Sequence, residues 1–271
     1  MSKMNRKGAL TGVLILAAVG LAGCAKESGS KGSMIEEKVT RNYDGEGEIT
    51  GWQQESFDRN GNVKECRVYD RDGGLLRTQA VTETDSKGRK TVQVLKDGDG
   101  TELANVEYTY DRRGNLTGCV STGTPENCFS CEYGYDENDR KVYSISYEAD
   151  GKTITAYEDY QYDADGNLIM TDGKFYYDSY MEEYTYEYRY DAKGKLISET
   201  LLSGTEITEK SEYVYDDGNR LLRVETDSRF DRDRKEEYRY DEKGNVSSAV
   251  RTSEDGETTG RTEYEYTYGA Q

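Results

Sequence analysis

The chain has 271 residues, with 54 Asp and Glu against 36 Lys and Arg, no His, one Pro and 25 Tyr. Without histidine, Ser-His-Asp and Cys-His catalysis and imidazole zinc sites are excluded. A formal net charge of -18 argues against wrapping nucleic acid, which needs a basic footprint, and against docking on anionic lipid through a basic patch.

Residues 1–23 read as a targeting segment. Lys3, Arg6 and Lys7 precede an apolar stretch from Ala9 to Leu21, which ends in Leu21-Ala22-Gly23-Cys24. This pattern resembles a bacterial lipoprotein signal with its lipobox. The resemblance implies a diacylglycerol thioether on Cys24 as the first mature residue, and a lipid-anchored, extracytoplasmic protein at the cell surface. Two acyl chains anchor stably where one does not. An uncleaved membrane helix would have only the 18 uncharged residues 8–25, at the lower limit for a span, and its glycines disfavour it. Residues 24–40 then form a flexible tether and 41–271 one β domain.

Downstream of Cys24, Leu, Ile, Val and Phe are sparse, which with this charge suggests disorder. The tyrosines oppose that reading, because each buries a ring while its hydroxyl stays wet or hydrogen-bonded. A thin sheet with little conventional core is expected.

Self-similarity exposes the organisation. Phe57-Asp58, Thr84-Asp85, Tyr110-Asp111, Tyr135-Asp136, Tyr162-Asp163, Tyr190-Asp191, Tyr215-Asp216 and Tyr240-Asp241 recur at Asp spacings of 27, 26, 25, 27, 28, 25 and 25. Weaker turn signals lie between them, such as Asp70-Arg71-Asp72-Gly73 and Asp97-Gly98-Asp99-Gly100. Each unit reads as two strands and two turns. In Tyr162-Asp163-Ala164-Asp165-Gly166-Asn167-Leu168, Asp suits the first position of a type I turn and Gly the left-handed position that closes a bulged hairpin loop. Tyr162 then falls opposite Leu168. The same spacing pairs Phe57 with Val63, Tyr110 with Leu116, Tyr190 with Leu196, Tyr215 with Leu221 and Tyr240 with Val246, each pair worth about 0.2–1 kcal/mol. Tyr108, Tyr133, Tyr160, Tyr188, Tyr213 and Tyr238 share that face by alternation. Three units deviate: Asp139 replaces Gly, Lys90 replaces the aliphatic residue, and 216–219 reads as a tighter turn. The expected fold is all-β, an antiparallel meander of tandem hairpin repeats forming an extended or coiled sheet whose outer units fray first.

The segments YDRRGNLTG, YDADGNLI, YDAKGKLIS and YDEKGNV resemble the YD repeats, also called RHS repeats, of bacterial polymorphic toxins and animal teneurins. The likeness covers most of residues 57–268. It implies an architecture and an extracellular setting. Toxin function does not carry over, since Glu263-Tyr264-Glu265-Tyr266 is another repeat strand rather than an effector domain.

The Asp- and Gly-rich loops hint at calcium, but they lack a full ligand set and hairpin turns need the same residues. No metal or cofactor is assigned. Cys66, Cys119, Cys128 and Cys131 remain after Cys24, and outside the cytoplasm a disulfide is simpler than half a zinc site. Three pairings are open. If 122–127 turn, Cys119 faces Ser130 or Cys131, making Cys119–Cys131 the candidate bridge. Consecutive tyrosines point to opposite faces, so the run Phe175-Tyr176-Tyr177-Asp178-Ser179-Tyr180 leaves some rings exposed. Tyr176, Tyr177, Tyr180, Tyr184 and Tyr186 are the candidate contact surface. No catalytic set is visible. The expected function is a non-enzymatic binding or scaffolding module for a surface glycan or protein, with no nucleic-acid partner. The alternative is a hydrolase or metal-dependent module in the irregular N-terminal repeats, which an acidic pocket within residues 40–105 would favour.

Overall fold

A computed structural model describes residues 34–231 and 234–269. Cys24 and its lipidation lie outside the described residues, as do the signal segment and residues 24–33 of the tether. The chain is a succession of strands: β1 Ile35–Asp44, β2 Ile49–Phe57, β3 Val63–Asp70, β4 Leu75–Thr84, β5 Lys90–Asp97 and β6 Glu102–Tyr110. It continues through β7 Leu116–Gly123, β8 Phe129–Tyr135, β9 Lys141–Glu148, β10 Ile154–Tyr162, β11 Leu168–Tyr176 and β12 Met181–Tyr190. It ends with β13 Leu196–Ser203, β14 Glu206–Tyr215, β15 Leu221–Ser228, β16 Arg234–Tyr240, β17 Val246–Ser253 and β18 Thr258–Tyr268. Among the described residues a single 3-10 turn, Pro125–Asn127, interrupts them. Strand β1 begins at Ile35, so residues 35–40 belong to the sheet and not to the tether.

Every strand pairs antiparallel with its chain neighbours, and β1 pairs with both β2 and β18. The sheet is therefore a closed 18-stranded up-and-down barrel, which corrects the expectation of an extended or coiled open sheet. The seam runs from Ile35 opposite Tyr268 to Asp44 opposite Gly260. Side chains add to it: Arg41 Nη1 donates to Glu265 at 2.9 Å, Tyr43 Oη to Glu263 at 3.1 Å, and Thr262 Oγ1 to Asn42 Oδ1 at 3.1 Å. Hairpin motifs specify neighbouring pairs only. Closure follows from accumulated sheet twist and from the cost of two edges of unpaired N–H and C=O groups. It also leaves no outer units to fray.

The hairpin expectations hold in detail. Tyr162 pairs with Leu168, Tyr190 with Leu196, Tyr215 with Leu221 and Tyr240 with Val246. In the turn at Asp163, the Asp163 N–H donates to Asn167 O at 3.0 Å, and the aspartate Oδ1 accepts the N–H groups of Asp165 and Asn167. Gly166 closes the turn at φ +89°. The left-handed position is filled without glycine in two turns, by Asp139 at φ 62° and Asn219 at φ 71°. The turn at Asp216 is not tighter: Asp216 N–H donates to Arg220 O at 2.9 Å, the same five-residue geometry, with Asn219 rather than Gly218 in the left-handed place. Lys90 pairs with Thr84 and sets its ammonium 4.2 Å from the Tyr108 ring.

One bond that the motif does not announce ties the units together. The hydroxyl of the motif tyrosine donates to the first backbone carbonyl of the previous odd-numbered strand: Tyr135 to Leu116, Tyr162 to Lys141, Tyr190 to Leu168, Tyr215 to Leu196, Tyr240 to Leu221, each at 2.8–2.9 Å. Tyr110 to Lys90 and Tyr266 to Val246 repeat it at 2.9 Å. Tyr110, Tyr162, Tyr190, Tyr215 and Tyr240 thus stand opposite their own hairpin's aliphatic residue while the hydroxyl holds the unit before; Tyr135 stands opposite Lys141 and Tyr266 opposite Lys38.

Two rims result. The eight Tyr-Asp turns and both ends of the described chain lie on one, since β1 begins and β18 ends there. The weaker turns lie on the other, hereafter the far rim. Among the described residues no large side chain is fully buried, and the one hydrophobic cluster is small: Val106, Tyr108 and Cys119, flanked by Tyr110, Leu116, Phe129 and Cys131. Spread on a circle, 18 strands about 4.8 Å apart and tilted about 40° give a diameter of about 36 Å. The barrel is a wall with two wetted surfaces.

Candidate functional site

The tyrosine ladder turns inward. On this face Glu158 of β10 accepts hydrogen bonds from Ser144 on β9 at 2.8 Å, from Tyr160 on its own strand, and from Tyr184 on β12 at 2.6 Å. Reaching across β11 is open to Tyr184 because Gly173 lies beneath it: a Cβ there would meet the ring at 2.1 Å. Burial pushes the Glu158 carboxyl up, but the three hydroxyls and Lys141 outweigh it and hold the group below its ordinary range. Glu199 on β13 behaves oppositely. Burial, reinforced by the charge of Glu209, pushes it up. Tyr188 stands beside it, its phenol pushed up to about 12 chiefly by burial.

Two carboxyls with displaced acidities are the pattern from which acid–base pairs are built. Their spacing does not suit glycoside hydrolysis. Glu158 and Glu199 lie three strands apart and about four residues apart along the strand direction, on the order of 15–20 Å between backbone positions. Hydrolysis needs carboxyls about 5–9.5 Å apart. The inner carboxylates were absent from the sequence-derived site. The available signal was alternation, since Glu158 precedes Tyr160 by two residues and so shares its face.

The five candidate tyrosines do not form one surface. Tyr177 and Tyr180 sit at the far rim in the β11–β12 turn, where Tyr177 N–H donates to Tyr180 O at 2.9 Å and the rings stack with centroids 4.5 Å apart. Tyr176 beside them is exposed on the outer face, opposite Met181, which is also exposed. Tyr184 and Tyr186 belong to the inner wall, half-buried, with ring centroids 5.7 Å apart. Cys119 and Cys131 are direct register partners joined by a disulfide, with Cα atoms 5.1 Å apart. Cys66 and Cys128 are free thiols, and burial pushes Cys66 up to about 11.

A groove of about 750 Å³ crosses the outer wall of β3–β6, with Leu75, Ala80 and Val94 among its lining residues. Two of its four carboxylates, Glu65, Asp97, Asp99 and Glu102, are engaged: Glu65 pairs with Arg67 at 2.6 Å, and Asp97 Oδ1 accepts the N–H groups of Asp99 and Thr101. Among the described residues no group of three Cys, Asp or Glu side chains could hold a metal ion. No helix there is long and apolar enough to cross a membrane. The outer wall carries ion pairs along the strands, Lys174–Glu183, Lys210–Glu212, Arg223–Glu225 and Arg261–Glu263 among them. A barrel in lipid presents an apolar band there instead.

No protein-family model matches the chain, and no curated protein matches it. Solved structures resemble it weakly. A porin-like protein from Bacteroides uniformis is 13% identical over 86% of this chain and 98% of that one, with a TM-score of 0.49. The TcdB2-TccC3-Cdc42 structure is 13% identical over 86% of this chain, with a TM-score of 0.39, and the match spans 15% of that chain. A Parabacteroides distasonis protein named as a lipoprotein is 9% identical over 87% of this chain and 97% of that one, with a TM-score of 0.25. Scores this low carry no functional argument.

Proposed function

We propose that the protein is a small, lipid-anchored YD-repeat protein of the bacterial cell surface, and that its barrel is a non-enzymatic binding or scaffolding module for a glycan or protein. The observation that carries the binding reading is the exposed, stacked pair Tyr177–Tyr180 beside Tyr176 and Met181 on the far rim. Rings held in place by a turn offer contact area at little entropic cost, and they need no charged ligand. Lipid anchoring rests on Leu21 to Cys24.

A glycan and surface-protein binding screen on the chain from residue 34 tests the module. Replacing Tyr177 and Tyr180 by Ala is expected to weaken the binding found by at least about tenfold, the equivalent of 1.4 kcal/mol, while the barrel stays folded. Unchanged binding by the double variant removes this assignment. Cys24→Ala is expected to abolish detergent-phase partition, and an unchanged mature mass would refute lipidation.

A further inference from the structure

The repeat sets an ammonium group on the inner tyrosine ladder at β9 and omits it at the equivalent place on β13. Lys141, the first residue of β9, holds its Nζ 4.1 Å from the centre of the Tyr160 ring on β10 and 5.6 Å from that of Tyr133 on β8. Its charge acts on Glu158, which stands opposite Ser144 and accepts the Tyr160 hydroxyl. Ammonium, ring and carboxylate thus form one intramolecular set. Lys90, at the same place in β5, holds its Nζ 4.2 Å from the Tyr108 ring.

Strands β13 and β14 rebuild two parts of that set. Glu199 stands opposite Ser211, which is the Ser144–Glu158 pair with its strands exchanged. Tyr213, two residues before the motif Tyr215, takes the place of Tyr160 and donates to Glu199 at 3.5 Å. On the other side Tyr188 is the register partner of Glu199, and its ring lies 6.2 Å from that of Tyr186 and nearly parallel to it. The place of Lys141 is taken by Leu196, which supplies no charge. Beyond burial, the one charge that bears on Glu199 is the like charge of Glu209, itself paired with Arg234 at 3.4 Å. Among the described residues no Lys or Arg stands over the rings of Tyr186, Tyr188 or Tyr213. A carboxylate among electron-rich rings is complementary to an organic cation, because both the charge and the ring quadrupoles attract it.

We propose that the lumen face of β12–β14 binds a ligand bearing an alkylammonium group, with Glu199 taking the charge and Tyr186, Tyr188 and Tyr213 the carbon atoms around it. A barrel about 36 Å across is wide enough to admit such a group. The site is separate from the far-rim tyrosines, and neither reading rests on the other.

The test is equilibrium dialysis of radiolabelled choline against the full-length protein in a non-ionic detergent at low salt. Tetramethylammonium is expected to displace the choline, and 3,3-dimethylbutan-1-ol, its uncharged isostere, is not. Glu199→Gln, close in shape, should weaken binding at least about tenfold. Leu196→Lys supplies the ammonium that Lys141 supplies on β9, and should abolish binding with Glu199 intact. Lys141→Leu should open a second site at Glu158, raising the stoichiometry from about one to about two. The urea midpoint of each variant checks that it is folded. Choline binding that Glu199→Gln leaves unchanged, displacement by the neutral alcohol, a stoichiometry still near one in folded Lys141→Leu, or no choline retained by the folded protein overturns the proposal.

Discussion

The tyrosine hydroxyls that join successive units give the sharpest quantitative expectation. Tyr190→Phe keeps the ring against Leu196 and removes only the 2.8 Å bond to the Leu168 carbonyl. A typical intramolecular hydrogen bond contributes about 0.5–1.5 kcal/mol net. Tyr190 is half-buried, so water can reach part of the freed carbonyl and the loss should be near 1 kcal/mol. With a urea slope of about 3 kcal/mol/M, that moves the unfolding midpoint down by about 0.3 M. Equivalent bonds recur every second strand, about 10 Å apart, where effects are close to additive. Changing Tyr162, Tyr190, Tyr215 and Tyr240 together to Phe should cost about 2–6 kcal/mol, a large part of the 5–15 kcal/mol of an ordinary domain. Urea unfolding followed by circular dichroism measures both. A single variant with an unchanged midpoint, or a quadruple variant costing no more than the single one, would refute the role given to these hydroxyls.

Gly166→Val forces a β-branched residue to φ +89° and should cost about 1 kcal/mol or more, whereas Gly166→Asn should cost less; the space is open, so the difference in urea midpoint isolates backbone strain. All eight turn aspartates have their pKa held below the ordinary carboxylate value; for Asp163 the Asn167 side-chain amide is the largest cause, followed by backbone N–H groups. Their stabilisation is therefore present above the ordinary carboxylate value and lost as pH falls through the depressed values, while Glu199, pushed up, contributes the opposite sign. Stability should drop below about pH 4, and a urea midpoint that holds or rises between about pH 5 and 3 would contradict this.

Turns and local register were legible because Asp, Gly and the flanking ring–aliphatic pair act within seven residues, as at Tyr162 to Leu168. Substitutions were harder. Asn219 fills the left-handed place as well as Gly, so a search for Gly alone misplaced the turn at Asp216. The seam between β1 and β18 has no sequence signal, because residues 216 or more apart meet only once the intervening sixteen strands have curved round. Alternation asked only that some rings of the run 175–180 be exposed, as Tyr176, Tyr177 and Tyr180 are, and it could not tell that Tyr184 and Tyr186 face a lumen, since an open sheet has no inside.

Closure is the central claim, and a cross-link at the seam tests it most directly. Val39 and Glu265 are register partners on β1 and β18, while the free thiols Cys66 and Cys128 lie elsewhere. In a chain from residue 34 carrying Cys66→Ser and Cys128→Ser, the pair Val39→Cys and Glu265→Cys should form an intramolecular disulfide under mild oxidation, with both thiols lost in the monomer. Val39→Cys with Thr258→Cys, out of register, should not. Monomers that keep both seam thiols free, or that bridge only between molecules, would show an open sheet instead of a barrel.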